Sequence, residues 1–122
     1  MKIEELIKSL EFIRQALDRS IDPNNPTDCT EKLGELNALQ GLSAECYASA
    51  ESILNKKLFD AVKEFADNKV SASEKKYLYQ GFANREIYYF NLSEKYNKEI
   101  HYQIESLRTF ISNLKMQYQN GI

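Results

Sequence analysis

The 122-residue chain has few of the residues that build metal sites, disulfides or tight turns: one histidine, two cysteines, four glycines, two prolines and no tryptophan. Two cysteines are too few for the disulfide framework of a small secreted domain. Zinc needs about four Cys or His ligands at short spacings, whereas Cys29, Cys46 and His101 are scattered. So little glycine and proline also leaves little material for the many turns of a β-sandwich. These shortages favour an all-α protein with no metal and no cofactor.

Strong charge of either sign and long apolar runs are also missing. The formal net charge is −2 and the isoelectric point is about 5.5, unlike the strongly basic balance of dedicated nucleic-acid binders. The chain has no uninterrupted apolar run near the ~18 residues of a membrane span. Its first five residues, MKIEE, do not resemble the start of a signal peptide. We therefore expect a cytoplasmic protein that does not enter membranes.

Three helices are predicted from apolar spacing and from the residues that begin and end helices. Ile3, Leu6, Leu10, Ile13 and Leu17 recur at steps of three and four, which indicates a first helix over about residues 2–20. Two prolines then predict a loop over 21–28. A second helix over about 29–67 would start at a capping box formed by Asp28 and Glu31.

Gly34 and Gly41 lie seven residues apart, on nearly the same face of the second helix. Each glycine costs about 1 kcal/mol relative to alanine inside a helix, so a close approach of another backbone would compensate. The alternative is a kink or break at Gly41.

A third helix is predicted over about residues 73–119, with Ser71 and Glu74 as its capping box. A straight helix of about 47 residues would be roughly 70 Å long, which a compact globule of this size cannot cover. The helix must therefore break, around Gly81 or Asn91, or pair in a long hairpin, or be covered by another chain.

These elements predict one domain over 1–122, a three-helix bundle made of an elongated, coiled-coil-like antiparallel hairpin and a shorter N-terminal helix. Tyr88, Phe90 and Phe110 widen the apolar stripe of the third helix beyond the width that two helices bury. We therefore expect a homo-oligomer, most simply a dimer, formed by four-helix packing.

No catalytic, cofactor-binding or metal-binding residues are predicted. A di-iron centre needs Glu-x-x-His pairs, but Lys98 stands three residues before His101. The chain contains neither a phosphate-binding glycine loop nor a G-x-S-x-G nucleophile motif. A Cys–His nucleophile pair is formally possible, but nothing around Cys29 or Cys46 marks one, and Cys46 fits a small core position among alanines. We do not expect an enzyme.

Aromatic and basic residues are concentrated between positions 75 and 98. Tyr and Arg are enriched at protein–protein hot spots, and aromatic rings with Lys or Arg also bind single-stranded nucleic acids or nucleotides. Core packing is the third interpretation of the tyrosines. The candidate partner-binding residues are Lys75, Lys76, Tyr79, Arg85, Tyr88, Lys95 and Lys98.

The segment EIHYQIESLRTFISNLK, residues 99–115, resembles the closing helix of small helical accessory proteins from the early or recombination regions of tailed phages. The stretch 39–54, with AECYA at 44–48, is similar to the middle helix of those proteins. The resemblance implies a non-enzymatic accessory factor in the host cytoplasm, acting on DNA metabolism or on host defence.

The leading functional hypothesis is therefore a protein that binds and modulates a host or phage protein, for example as an anti-defence inhibitor. One alternative is a single-stranded nucleic-acid or nucleotide binder that assists recombination or replication. Another is a structural coiled-coil spacer.

Overall fold

A computed structural model describes residues 1–120, and all regular structure in that part of the chain is helical. The helices are α1 (Ile3–Asp18), α2 (Pro26–Glu64), α3 (Ala72–Phe82) and α4 (Asn84–Gln119). The all-α prediction is confirmed. The expected number of three helices is wrong, because the third predicted helix is divided into α3 and α4. Over the described residues, no helix combines the length and the apolarity that crossing a membrane requires.

The apolar residues of α1 point into the core, as their spacing predicts: Leu6, Leu10, Ile13 and Leu17 are buried. The C-terminal end of α1 is held from outside the helix, since the Lys32 ammonium of α2 donates hydrogen bonds to the carbonyls of Leu17, at 3.1 Å, and Arg19. Cations at this position satisfy carbonyls that have no partner within the helix.

Helix α2 begins earlier than predicted, and its cap is a different residue. The Asn25 side chain accepts hydrogen bonds from the backbone N–H groups of Thr27 and Asp28, at 3.0 and 3.2 Å. Pro26 occupies the first helical position, where its missing N–H costs nothing. The predicted capping box at Asp28 is therefore wrong. The predicted Ser71 cap is confirmed, because its hydroxyl accepts from the Glu74 N–H at 3.2 Å.

The boundary between α3 and α4 lies at Ala83, two residues beyond Gly81, while Asn91 lies inside α4. Ala83 has φ −102° and ψ 17°, and its side chain is fully buried. The predicted single helix over 73–119 is therefore wrong, and of the options considered for it, a break near Gly81 agrees with the structure to within two residues.

Helix α2 runs antiparallel to α3 and α4. The Ser43 hydroxyl donates to the Asn97 side-chain oxygen at 3.0 Å. Further along α2, the ring of Tyr47 lies 5.4 Å from that of Phe90, measured between ring centres. As residue numbers rise along α2, the numbers of the residues that α2 contacts fall. Helices α3 and α4 therefore form the second, antiparallel side of a helical hairpin.

Helix α1 covers only the middle of this hairpin. Gln103 donates to the carbonyl of Leu17 at 3.1 Å, while Ile3 lies near Ile53 and Arg85 at the opposite end of α1. We call the part covered by α1 the body and residues 56–82 the hairpin arm. The core lies in the body and consists of Leu6, Leu10, Ile13, Ala16, Leu17, Cys29, Leu36, Leu39, Cys46, Ala50, Ile100, Ile104 and Leu107.

Candidate interaction surfaces

The seven candidate residues do not share one surface. Lys75, Lys76 and Tyr79 lie on α3, in the hairpin arm. Arg85 lines a pocket at the base of the arm, and Tyr88 and Lys95 line a groove between α1 and α4. The exposed Lys98 is paired with Glu94 at 2.9 Å. A segment that is continuous in sequence is thus divided among several places.

Aromatic rings stack between the two helices of the arm. Phe65, just after α2, lies 6.2 Å from Tyr79 and 5.7 Å from Phe82, with an edge-to-face arrangement in the second pair. Such pairs contribute about 0.5–1.5 kcal/mol beyond their burial. Tyr79 therefore packs within the arm, which agrees with the core-packing interpretation of this residue.

Other apolar side chains of the arm face outwards. Phe59 is 59% exposed, Val62 50% and Tyr77 74%. No residue of α3 is buried, and Ala61 is a buried residue on the α2 side of the arm. The candidate set did not include Phe59, Val62 or Tyr77. For Phe59 the signal was its position beside Leu58, off the four-residue step that joins Leu58 to Val62. Val62 lies on that step, so its exposure could not be predicted from the spacing.

Lysines lie across two aromatic rings of the arm. The Lys57 ammonium is 4.4 Å from the centre of the Phe82 ring, and that of Lys63 is 4.5 Å from the centre of Phe59. Cations at this distance are attracted by the negative ring face, by about 0.5–1 kcal/mol at exposed sites. The arm therefore presents rings with a cation beside them, which suits contact with an apolar and acidic surface.

The pocket at the base of the arm has a volume of about 360 Å³ and is rich in charge. One carboxylate oxygen of Glu86 is buried there and has no hydrogen-bond partner among the described residues. The same pocket is lined by two further acidic residues, Glu4 and Asp60, and by four cationic ones, Lys2, Lys56, Lys57 and Arg85.

The groove between α1 and α4 is formed by two cavities of about 380 and 320 Å³ that share Arg14 and Tyr96. The guanidinium of Arg14 is bound by Glu11 and, at 2.9 Å, by Asp18. Its hydrogen bond with Glu11 lowers the pKa of that carboxyl, and burial raises the pKa of Tyr96. The remaining apolar lining consists of Ile7, Leu10, Tyr88, Tyr89, Leu92 and Leu17.

Both thiols are placed for packing. Cys29 and Cys46 are buried and unbonded to each other, and burial raises the pKa of each. Because the thiolate is the nucleophile and the metal ligand, a raised pKa disfavours both kinds of chemistry. In residues 1–120, no group of three or more His, Cys, Asp or Glu side chains is arranged to hold a metal ion.

Comparison with known proteins does not assign a family. No protein-family model matches the chain, and neither a curated protein nor a solved structure matches it. The functional argument therefore depends on the surfaces described above.

Proposed function

We propose that this is a non-enzymatic binding protein whose hairpin arm docks onto another protein. The observation that supports this proposal is the exposure of Phe59, Val62 and Tyr77 on a part of the hairpin that α1 does not cover. Phe59 and Val62 belong to α2 and Tyr77 to α3, and large exposed apolar side chains on a part of a fold that no further helix covers are typical of interaction surfaces. Aromatic residues beside lysine are also frequent in the centres of protein interfaces.

The charge of the arm favours a particular kind of protein surface. Residues 56–82 carry six lysines against four Asp and Glu residues, whereas the whole chain has a net charge of −2. A local excess of positive charge attracts an acidic partner. Salt screens this attraction, so association should slow as the salt concentration rises. We therefore expect the partner to present apolar side chains within an acidic rim.

We further propose that the protein is an accessory factor of the tailed-phage type, which modulates a host or phage protein. The sequence resemblance over residues 99–115 supports this version, with inhibition of a host defence protein as one example. In this role the body acts as a scaffold, and the arm carries the residues that recognise the partner.

The test compares capture of partners by the full-length chain and by two variants. The double substitution Phe59→Ala with Tyr77→Ala removes two exposed rings of the arm, and Tyr118→Ala removes an equally exposed ring, 72% accessible, near the far end of α4. We expect a specifically captured protein to be lost with the double variant and retained with Tyr118→Ala. Retention of every captured protein by the double variant would contradict the proposal.

A second measurement separates protein binding from nucleic-acid binding. A labelled single-stranded oligonucleotide is titrated with the chain at low and at moderate salt, using fluorescence anisotropy. We expect no binding at micromolar protein. Binding that weakens steeply with salt and is lost in Lys75→Glu with Lys76→Glu would replace the proposal with the nucleic-acid alternative.

A further inference from the structure

Helix α4 carries a second stripe, on the side turned away from α2. Its positions follow one another at alternating steps of four and three, which is the seven-residue repeat of helices that pair along a seam. Tyr88 is 59% exposed and Tyr102 69%. The residues of this stripe are Tyr88, Leu92, Lys95, Glu99, Tyr102 and Ser106.

The two charged residues of the stripe do not neutralise each other within the helix. Among the ion pairs of residues 1–120, none includes Lys95 or Glu99. Their order, with Lys before Glu, is the weaker orientation for a pair four residues apart in a helix. By contrast, Glu94 and Lys98 stand in the favourable order and do form an ion pair, at 2.9 Å. The Glu99 carboxylate accepts one hydrogen bond in the helix, from the Gln103 amide at 3.3 Å, and no hydrogen bond of the Lys95 ammonium occurs among residues 1–120. Both side chains can therefore still form an ion pair with a partner.

We propose that the partner of this stripe is a second copy of the chain, with the two α4 helices antiparallel and crossing at the level of Asn97. Residues equally distant from Asn97 then face each other. Lys95 meets Glu99 of the second copy, and Glu99 meets its Lys95. Leu92 meets Tyr102 of the second copy on one side of these ion pairs, and the symmetric contact lies on the other side.

Self-complementarity is what selects a second copy as the occupant. A two-fold axis gives every contact twice, so both ion pairs and both apolar contacts form without any residue from outside the chain. A parallel arrangement in the same register would place Lys95 against Lys95 and Glu99 against Glu99, which is repulsive. The charge pattern of the stripe thus specifies both the partner and its direction.

The groove between α1 and α4 lies directly beside this stripe and could receive side chains of a second copy. Tyr88 and Leu92 of the stripe also line the 380 Å³ cavity. On the α1 side, the same cavity is lined by Ile7 and Leu10. The α4 helix of a second copy would lie along this groove and contact α1 as well as α4. Two copies would then pack as four helices, one α1 and one α4 from each. The two hairpin arms would point in opposite directions, free of the interface.

The test exchanges the two charges separately and then combines the variants. Lys95→Glu makes both stripe positions acidic, and Glu99→Lys makes both basic. Each variant alone replaces two attractive contacts by two repulsive ones, whereas a mixture of the two restores Lys–Glu pairing in a heterodimer. Lys95 and Glu99 are exposed, so circular dichroism of each variant should match that of the unmodified chain. Arg108→Glu, an exposed change on another face of α4, is the matched control.

The readout is mass in solution, by sedimentation velocity or light scattering on the full chain. We expect a dimer for the unmodified chain and for Arg108→Glu. Each single variant should raise the dissociation constant about tenfold or more, because two attractive surface pairs become repulsive. Their equimolar mixture should recover the dimer. A monomeric unmodified chain, unchanged dimerisation in the single variants, or a mixture no better than its components would each overturn the inference.

Discussion

The body and the hairpin arm use the same kind of sequence and reach different degrees of burial. In the body, α1 lies against α2 and α4, and Leu6, Ile13, Leu36 and Ile100 are almost completely buried. In the arm, α3 has no buried residue although it contains Tyr77, Leu78, Tyr79 and Phe82. A third helix, and not apolar composition, therefore decides where this chain has a core.

This difference separates two roles along one hairpin. A pair of helices can bury only a narrow seam between them, so the other apolar side chains of the arm remain in contact with water. The body can hold its fold by its own packing. The arm has few buried contacts that stabilise it, and several of its apolar side chains are exposed. Both properties are usual in segments that bind partners.

The largest effect is expected from matched core truncations in the two regions. Ile13→Ala in the body should lower the free energy of unfolding by about 2–5 kcal/mol, because it leaves a cavity at a completely buried position. Leu78→Ala in the arm should cost about 1 kcal/mol or less, since its side chain is partly solvated. Urea denaturation followed by circular dichroism measures both.

The comparison between body and arm would be wrong if Leu78→Ala cost as much as Ile13→Ala. The arm would then contribute a core of its own to the fold. If the two variants instead had the same urea midpoint but different slopes of unfolding free energy against urea, the arm would unfold separately from the body.

The next effect concerns the attachment of α1. Lys32→Met keeps the aliphatic stem of the side chain but removes the ammonium that binds the carbonyls of Leu17 and Arg19. We expect a loss of about 1–3 kcal/mol, because two hydrogen bonds from a charged donor are removed and the Leu17 carbonyl keeps only the one from Gln103. Thermal unfolding checks this, with Lys8→Met on the exposed side of α1 as the control. An unchanged melting temperature in Lys32→Met would contradict this, and would leave packing, the Arg19–Glu35 ion pair and the Gln103 hydrogen bond as the contacts that hold α1.

The smallest effect is a gain in stability. Gly41 lies inside α2, and a Cβ atom built there meets nothing within 4 Å, as is also true of Gly34. The predicted close approach of another backbone is therefore wrong within the described chain, and α2 continues through Gly41 without a break. Gly41→Ala should stabilise the protein by about 0.5–1 kcal/mol. Destabilisation, measured by urea unfolding, would mean that another molecule packs closely against this face.

Features set by local spacing could be predicted from the sequence. The buried residues of α1 follow from their three- and four-residue steps, and the Ser71 cap follows from the position of Glu74.

Features set by contacts between distant residues could not be predicted. Lys32 is buried because two carbonyls near the end of α1, thirteen and fifteen residues away in sequence, bind its ammonium. The start of α2 was misplaced because Pro26 suggests a loop as readily as a first helical position. The distribution of the candidate residues among several places could not be predicted either, because it depends on where α1 lies against α4 and on the division of the predicted third helix at Ala83.

Hydrogen–deuterium exchange on the full chain, without any partner, tests the central difference most directly. Backbone amides of α3 should exchange at least about 100-fold faster than those of α2 between Leu36 and Ala50, because local opening of the arm breaks few buried contacts. Within the helices α2 and α3, fast exchange confined to residues 56–82 is the predicted result. Equal protection of the arm and the body would contradict the account, because it would mean that the hairpin is equally stable with and without α1.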